Sequence, residues 1–125
     1  MDVVPSIQTV HATSDKNMAE DRVGPDRIKG AYAWHKFIEA GCLIQNGTDA
    51  PVELVNPYHY LYAAVTRMDR EGEPKGGWYP EECLTREEAL RSYTVWAAYG
   101  AFEEKLKGSI VVGKLANFVK IDKDI

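Results

Sequence analysis

Gly41-Cys42-Leu43-Ile44-Gln45-Asn46-Gly47-Thr48-Asp49 decides the fold. Gly41 is a natural helix C-cap. The apolar run after it, closed by small polar residues, makes Cys42–Asp49 read as a strand. Upstream, Gly24-Pro25-Asp26 starts a helix, because proline suits the first helical position, where no N–H is needed. Ile28, Ala31, Trp34 (or His35) and Ile38 then repeat at helical spacing, which predicts a helix over Pro25–Ala40. Further upstream, Val3–Val10 is apolar and β-branched and reads as a strand, although Pro5 withholds one ladder donor. His11-Ala12-Thr13-Ser14-Asp15 is expected to be the loop that ends it. Strand, helix and strand with a short helix-to-strand turn form a βαβ unit with parallel strands.

Downstream, Asn56-Pro57 starts a second helix, with an asparagine cap followed by proline. Met68–Cys83 is expected to be a long irregular loop, held in order by Trp78 and Tyr79. Thr85-Arg86-Glu87-Glu88 is a capping box that opens a helix over Thr85–Tyr99. Ser109–Val112 and Leu115–Ile121 read as two short strands about a hairpin-like turn.

Composition narrows the function classes. The 125 residues carry a net charge of −4 with a pI near 5.4, so no Lys/Arg surplus marks a nucleic-acid binder. No polybasic run suits an anionic membrane surface. No stretch approaches the roughly 18 apolar residues of a membrane span, and Met1–Pro5 lacks the basic start of a signal peptide. Cys42 and Cys83 are too few for a disulfide framework and form no metal-binding cluster. A reducing, cytoplasmic setting is the expectation.

Two parallel strands leave two open edges, whereas such strands are normally buried on both faces and flanked by others. The chain is therefore expected either to borrow strands from a partner or to be a segment of a larger protein. The residues from Gly47-Thr48-Asp49-Ala50-Pro51-Val52-Glu53 onward sharpen this. They are followed by Asn56-Pro57, Ala63-Ala64-Val65-Thr66-Arg67, Leu84-Thr85-Arg86-Glu87-Glu88-Ala89-Leu90 and Tyr93-Thr94. Gly108-Ser109-Ile110 and Gly113-Lys114-Leu115-Ala116-Asn117-Phe118 close the series. This succession resembles the C-terminal part of the amidohydrolase family 3 enzymes, metal-dependent (β/α)8-barrel hydrolases.

The resemblance implies an α/β fold made of the last two βα units of a (β/α)8 barrel and the start of a returning β-sandwich segment. Residues 1–107 would be the barrel part, with Val3–His11 as the seventh strand and Cys42–Asp49 as the eighth. Residues 108–125 would begin the sandwich. The family's H-x-H metal motif, its bridging ligand and two further histidines have no counterpart in these residues. What it implies for the parent is hydrolysis of C–N bonds in amides or cyclic amides, with a small-molecule substrate and a divalent metal, zinc being expected. This chain alone is expected to bind none tightly and to be inactive.

Asp49 is the candidate catalytic residue and metal ligand that the resemblance implies. It closes a parallel strand, where barrel enzymes place their chemistry. Beside a metal-bound water a carboxylate orients the water and takes its proton. The plain alternative is an aspartate that caps the next turn. His11 would lie on the same rim as a substrate-contacting group, although Thr9 stands where the family has proline after the glutamine. Otherwise His11 is an ordinary loop histidine. Trp78 is the third candidate, as a wall of the substrate pocket, and Asp15 is more weakly implicated. His35, His59, Tyr58, Tyr60, Tyr62 and the pair Glu103-Glu104 read as packing or solvated residues. Asn117 replaces a family aspartate in the tail. Two competing readings stay open: a non-catalytic protein completed by self-association, and one half of a split enzyme completed by a companion chain.

Overall fold

The first strand is short because its sequence supplies few ladder donors and its end turns helical. In the computed structural model, which describes residues 3–124, β1 is Ser6–Ile7 and β2 is Gln45–Asn46. They pair in parallel, Ser6 with Gln45 and Ile7 with Asn46. Gln45 N–H donates to Pro5 O at 2.9 Å and Gly47 N–H to Ile7 O at 3.0 Å. The parallel pair is as expected, but the strands Val3–Val10 and Cys42–Asp49 shrink to two-residue cores. Cys42 and Ile44 are buried by packing without joining a ladder.

The expected loop after β1 is instead a helix, α1, over Thr9–Asp15. Helix starts leave backbone donors without partners. Here the Thr9 N–H finds Asn46 Oδ1 at 3.3 Å. The helix start is thereby tied to the end of β2.

The predicted helix Pro25–Ala40 is broken. Helix α2, Ala19–Val23, precedes it, a 3-10 turn covers Arg27–Gly30, and α3 runs from Trp34 to Glu39. Periodicity found the apolar positions but not the break, which lies at Tyr32 with φ of 53°. Two tertiary contacts hold that break. Arg67 Nη1 donates to Tyr32 O at 3.0 Å. Glu82 accepts from His35 N–H and Lys36 N–H at 3.1 and 3.3 Å, so α3 starts afresh on its own carboxylate.

Helix α4, Pro57–Thr66, begins as predicted, with the Asn56 side chain accepting from Tyr58 N–H at 3.0 Å. The stretch 68–83 is irregular as expected, apart from a 3-10 turn at Pro80–Glu82. Gly77, at φ +91°, lets it cross the end of α4, since a Cβ there would fall 2.4 Å from Thr66 O. Trp78 N–H then reaches Arg67 O at 2.9 Å. The Thr85 and Glu88 capping box is formed and opens α5, Arg86–Tyr93. The predicted continuation to Tyr99 breaks at Thr94, whose hydroxyl bonds back to Leu90 O at 2.8 Å, and α6 resumes over Val95–Gly100.

The core gathers Ile7, Ala12, Trp34, Ile44, Ala64, Leu84 and Ala89. Within it α1 packs on α4 and α4 on α5. The two predicted tail strands do not form. Residues 109–121 are turns and extended chain that join no ladder among the described residues. Among the described residues no helix is long and apolar enough to cross a membrane.

Candidate functional site

The C-terminal ends of β1 and β2 bring two chemical groups together. Past β2 the chain turns sharply, with Asp49 at φ of 52°. Aspartate tolerates this left-handed conformation better than most residues. The turn is closed by Val52 N–H donating to Asp49 O at 2.8 Å. Past β1 the chain enters α1, whose first turn carries His11. His11 Nε2 and Asp49 Oδ2 are 3.9 Å apart. The Asp49 side chain is half exposed (52%) and that of His11 mostly covered (24%), so the pair lies at the surface with its carboxylate open to solvent. The Nε2 atom itself is buried and has no hydrogen-bond partner among the described residues. His11 thus stands beside Asp49 on a helix, not at the end of a strand as the sequence suggested. A carboxylate and an imidazole this close need only a small side-chain adjustment to reach hydrogen-bond distance and share a proton.

Both groups stand on a buried polar lattice. Asn46 Nδ2 donates to Thr9 Oγ1 at 3.1 Å, and Thr9 Oγ1 donates to Tyr60 O at 2.8 Å. The Tyr60 hydroxyl donates to Thr48 O at 2.8 Å. Thr9 and Tyr60 are fully buried and Asn46 nearly so. Burial first, then the nearby Glu53 and Asp49 carboxylates, push the Tyr60 phenol above its ordinary pKa. The sequence marks Tyr60 only as a packing or solvated residue and gives neither Thr9 nor Asn46 a structural role. The available signal was a threonine two residues after β1 and an asparagine at the end of β2, both polar where apolar residues were due.

A cavity of about 250 Å³ reaches His11 but not Asp49, and is lined by Gln8, His11, Tyr32, Trp34 and Phe37 among others. A second, of about 260 Å³, lies between α1, α4 and residues 68–71, with Ser14, Lys16, Glu53, His59 and Asp69 in its wall. Trp78 lines neither. Its ring sits edge-on to Tyr32 at 5.5 Å and to Tyr79 at 5.0 Å, with the Arg67 guanidinium 5.4 Å from its centre. The structure therefore does not bring Trp78 to the Asp49 and His11 pair. Asp15 accepts from the Tyr32 hydroxyl at 2.7 Å. Burial, and then this bond, push the Tyr32 phenol up to about 12. His35 faces Glu39 and His59 faces Asn56, away from the pair.

Asp69 anchors the wall of the second cavity. Its Oδ1 accepts from Glu71 N–H and Glu73 N–H at 3.0 and 2.9 Å, and its Oδ2 pairs with Lys16. The Lys16 bond, then the backbone donors, hold its carboxyl below the ordinary carboxylate range. A lowered folded pKa adds stability above the unfolded pKa, near 4, and that stability is lost as pH falls through the folded value. Asp69→Asn is expected to be less stable at neutral pH and to lose less on acidification. Urea midpoints from neutral to strongly acid pH check this, and parallel profiles for the two proteins would contradict it.

Among the described residues, no three His, Cys, Asp or Glu side chains gather into a group that could hold a metal ion. His11 and Asp49 offer two donors at most, and a stable site needs more held in place.

The sequence matches the amidohydrolase family over residues 1–125. YtcJ of Bacillus subtilis (strain 168), which carries the name amidohydrolase, is 34% identical over 124 residues, covering 99% of this chain and 23% of that protein. The N-substituted formamide deformylase of Arthrobacter pascens is 33% identical over 88 residues, covering 70% of this chain and 16% of the relative. A metal-dependent hydrolase of Pyrococcus horikoshii OT3, uncharacterised by its description, superposes with a TM-score of 0.81 at 26% identity, over 98% of this chain and 24% of its own. That of Pyrococcus furiosus gives a TM-score of 0.76 at 30% identity, over 95% of this chain and 23% of its own. The chain spans about a quarter or less of the length of each of these proteins.

Proposed function

The chain belongs to the amidohydrolase family, and on that premise we propose that it is the C-terminal portion of a metal-dependent hydrolase of amide or cyclic-amide C–N bonds. The observation that carries this reading is the placement of Asp49 and His11, 3.9 Å apart, past the C-terminal ends of two parallel strands. That is where (β/α)8 barrels assemble their active sites. In this reading β1 and β2 are the cores of the seventh and eighth barrel strands, and residues 1–107 complete the barrel. Residues 108–125 enter the adjoining β-sandwich.

Asp49 accepts a proton from the attacking water and releases it toward the leaving nitrogen. His11 contacts the substrate beside it. The donor set of this chain does not amount to the divalent metal centre that the family implies, so the remaining ligands belong to the rest of the hydrolase. Alone, the chain is inactive in this account. Sequencing the DNA upstream of the Met1 codon tests the proposal. An in-frame H-x-H stretch with two further histidines is the expected result, and its absence would overturn it.

One observation favours a second reading, a non-catalytic protein completed by a second copy of itself. Phe102, Ile110, Val112, Phe118 and Val119 are 94, 91, 102, 69 and 83% exposed. A monomer rarely leaves so many large apolar side chains open in one segment. Sedimentation equilibrium of the isolated chain is expected to give a dimer or larger species under this reading, and a compact monomer would contradict it.

A further inference from the structure

We propose that Tyr60 is a positioning residue for Asp49, acting through the Thr48 carbonyl. The inference rests on the catalytic reading of Asp49 and names what sets its aim. Asp49 occupies a left-handed turn with φ of 52° and is half exposed, so its own packing fixes it little. The residue before it is held from inside, because the buried Tyr60 hydroxyl donates to Thr48 O at 2.8 Å. Tyr60 is in turn fixed at both ends. Its ring lies edge-on to Tyr93 at 6.2 Å, and its own carbonyl accepts from Thr9 Oγ1 at 2.8 Å.

Thr9 and Asn46 exchange two hydrogen bonds, Thr9 N–H to Asn46 Oδ1 at 3.3 Å and Asn46 Nδ2–H to Thr9 Oγ1 at 3.1 Å. The lattice thus joins the three segments that matter. Thr9 begins the helix that carries His11, Asn46 ends the strand that leads to Asp49, and Tyr60 spans from one to the other. Removing the phenolic hydroxyl cuts the direct tie to the Asp49 turn and leaves the ring in the core. The carboxylate then loses its fixed approach to His11, and a misplacement of about 1 Å at a reacting group is enough to lower turnover strongly.

The test needs no catalytic activity. In the unaltered chain, Asp49→Asn is expected to shift the imidazole resonances of His11 in NMR spectra at constant pH. In a Tyr60→Phe background the same Asp49→Asn change is expected to produce less than half that shift, a double-mutant cycle read in chemical shift. Undiminished coupling in folded Tyr60→Phe, even with a lower Tm, would overturn the proposal, since a structural role alone moves stability and not the coupling. Thr9→Val gives a second arm should Tyr60→Phe not fold. Reduced coupling there supports the lattice, and full coupling overturns it. A complete hydrolase indifferent to Asp49→Asn would refute the catalytic reading while leaving this coupling measurable, so the two failures are distinguishable.

Discussion

Arg67→Ala is expected to destabilise the chain by about 3–5 kcal/mol, from two lost buried hydrogen bonds and the cavity left behind. Arg67 is fully buried, and burial first of all lowers its pKa, with Cys83, Glu82 and Glu81 opposing that fall. Its side chain links three separate parts of the fold. Nε donates to Trp78 O at 2.5 Å and Nη1 to Tyr32 O at 3.0 Å. The guanidinium lies 4.5 Å from the Trp34 ring centre and 5.4 Å from that of Trp78. Truncation leaves two carbonyls without their donor, at roughly 1–3 kcal/mol for each that stays dry. It also opens a cavity between two indoles. Arg67→Lys keeps the charge but loses the planar fork, and is expected to recover less than half of the loss. Urea unfolding monitored by tryptophan fluorescence measures both variants. A change below about 1 kcal/mol in Arg67→Ala would show that this centre is not the tie it is taken to be.

Asp49→Asn is expected to lower kcat of the complete hydrolase by about 10²–10⁴, the usual contribution of a general base. Asparagine suits the test because it also tolerates the left-handed turn that Asp49 occupies at φ of 52°. The carboxylate is half exposed and the His11 ring nitrogen is 3.9 Å away, so stability should change by no more than about 0.5 kcal/mol. Steady-state hydrolysis of a simple amide, with an unfolding curve on the same sample, separates the two effects. A fall below about tenfold would remove Asp49 from the chemistry.

Local signals with a side-chain mechanism were legible in the sequence. The Asn56 cap, the Thr85 and Glu88 capping box and the parallel pairing all stand in the structure. Signals that depend on tertiary partners were not. Val3–Val10 has the β-branched composition of a strand, but Asn46 offers the Thr9 N–H a partner that only a helix start there can use. Pro25–Ala40 has helical spacing throughout. The buried Arg67 and Glu82 impose a break that no periodicity reports. The tail has strand composition but joins no ladder among the described residues. Asp49 and His11 are adjacent because parallel strands align their ends, even though His11 arrives on a helix. Trp78 reads as a pocket wall because it is an aromatic in a long loop, and the packing of its ring on Tyr32 and Arg67 was not legible in the sequence.

The central claim is that this chain supplies a carboxylate and an imidazole to a hydrolase whose remaining metal ligands lie outside it. Calorimetric titration of zinc into the purified chain, beside Asp49→Ala, tests it most directly. The account predicts no stoichiometric site tighter than about micromolar in either protein, since structural zinc sites need several ligands held together. A one-to-one sub-micromolar site in the unaltered chain would contradict it.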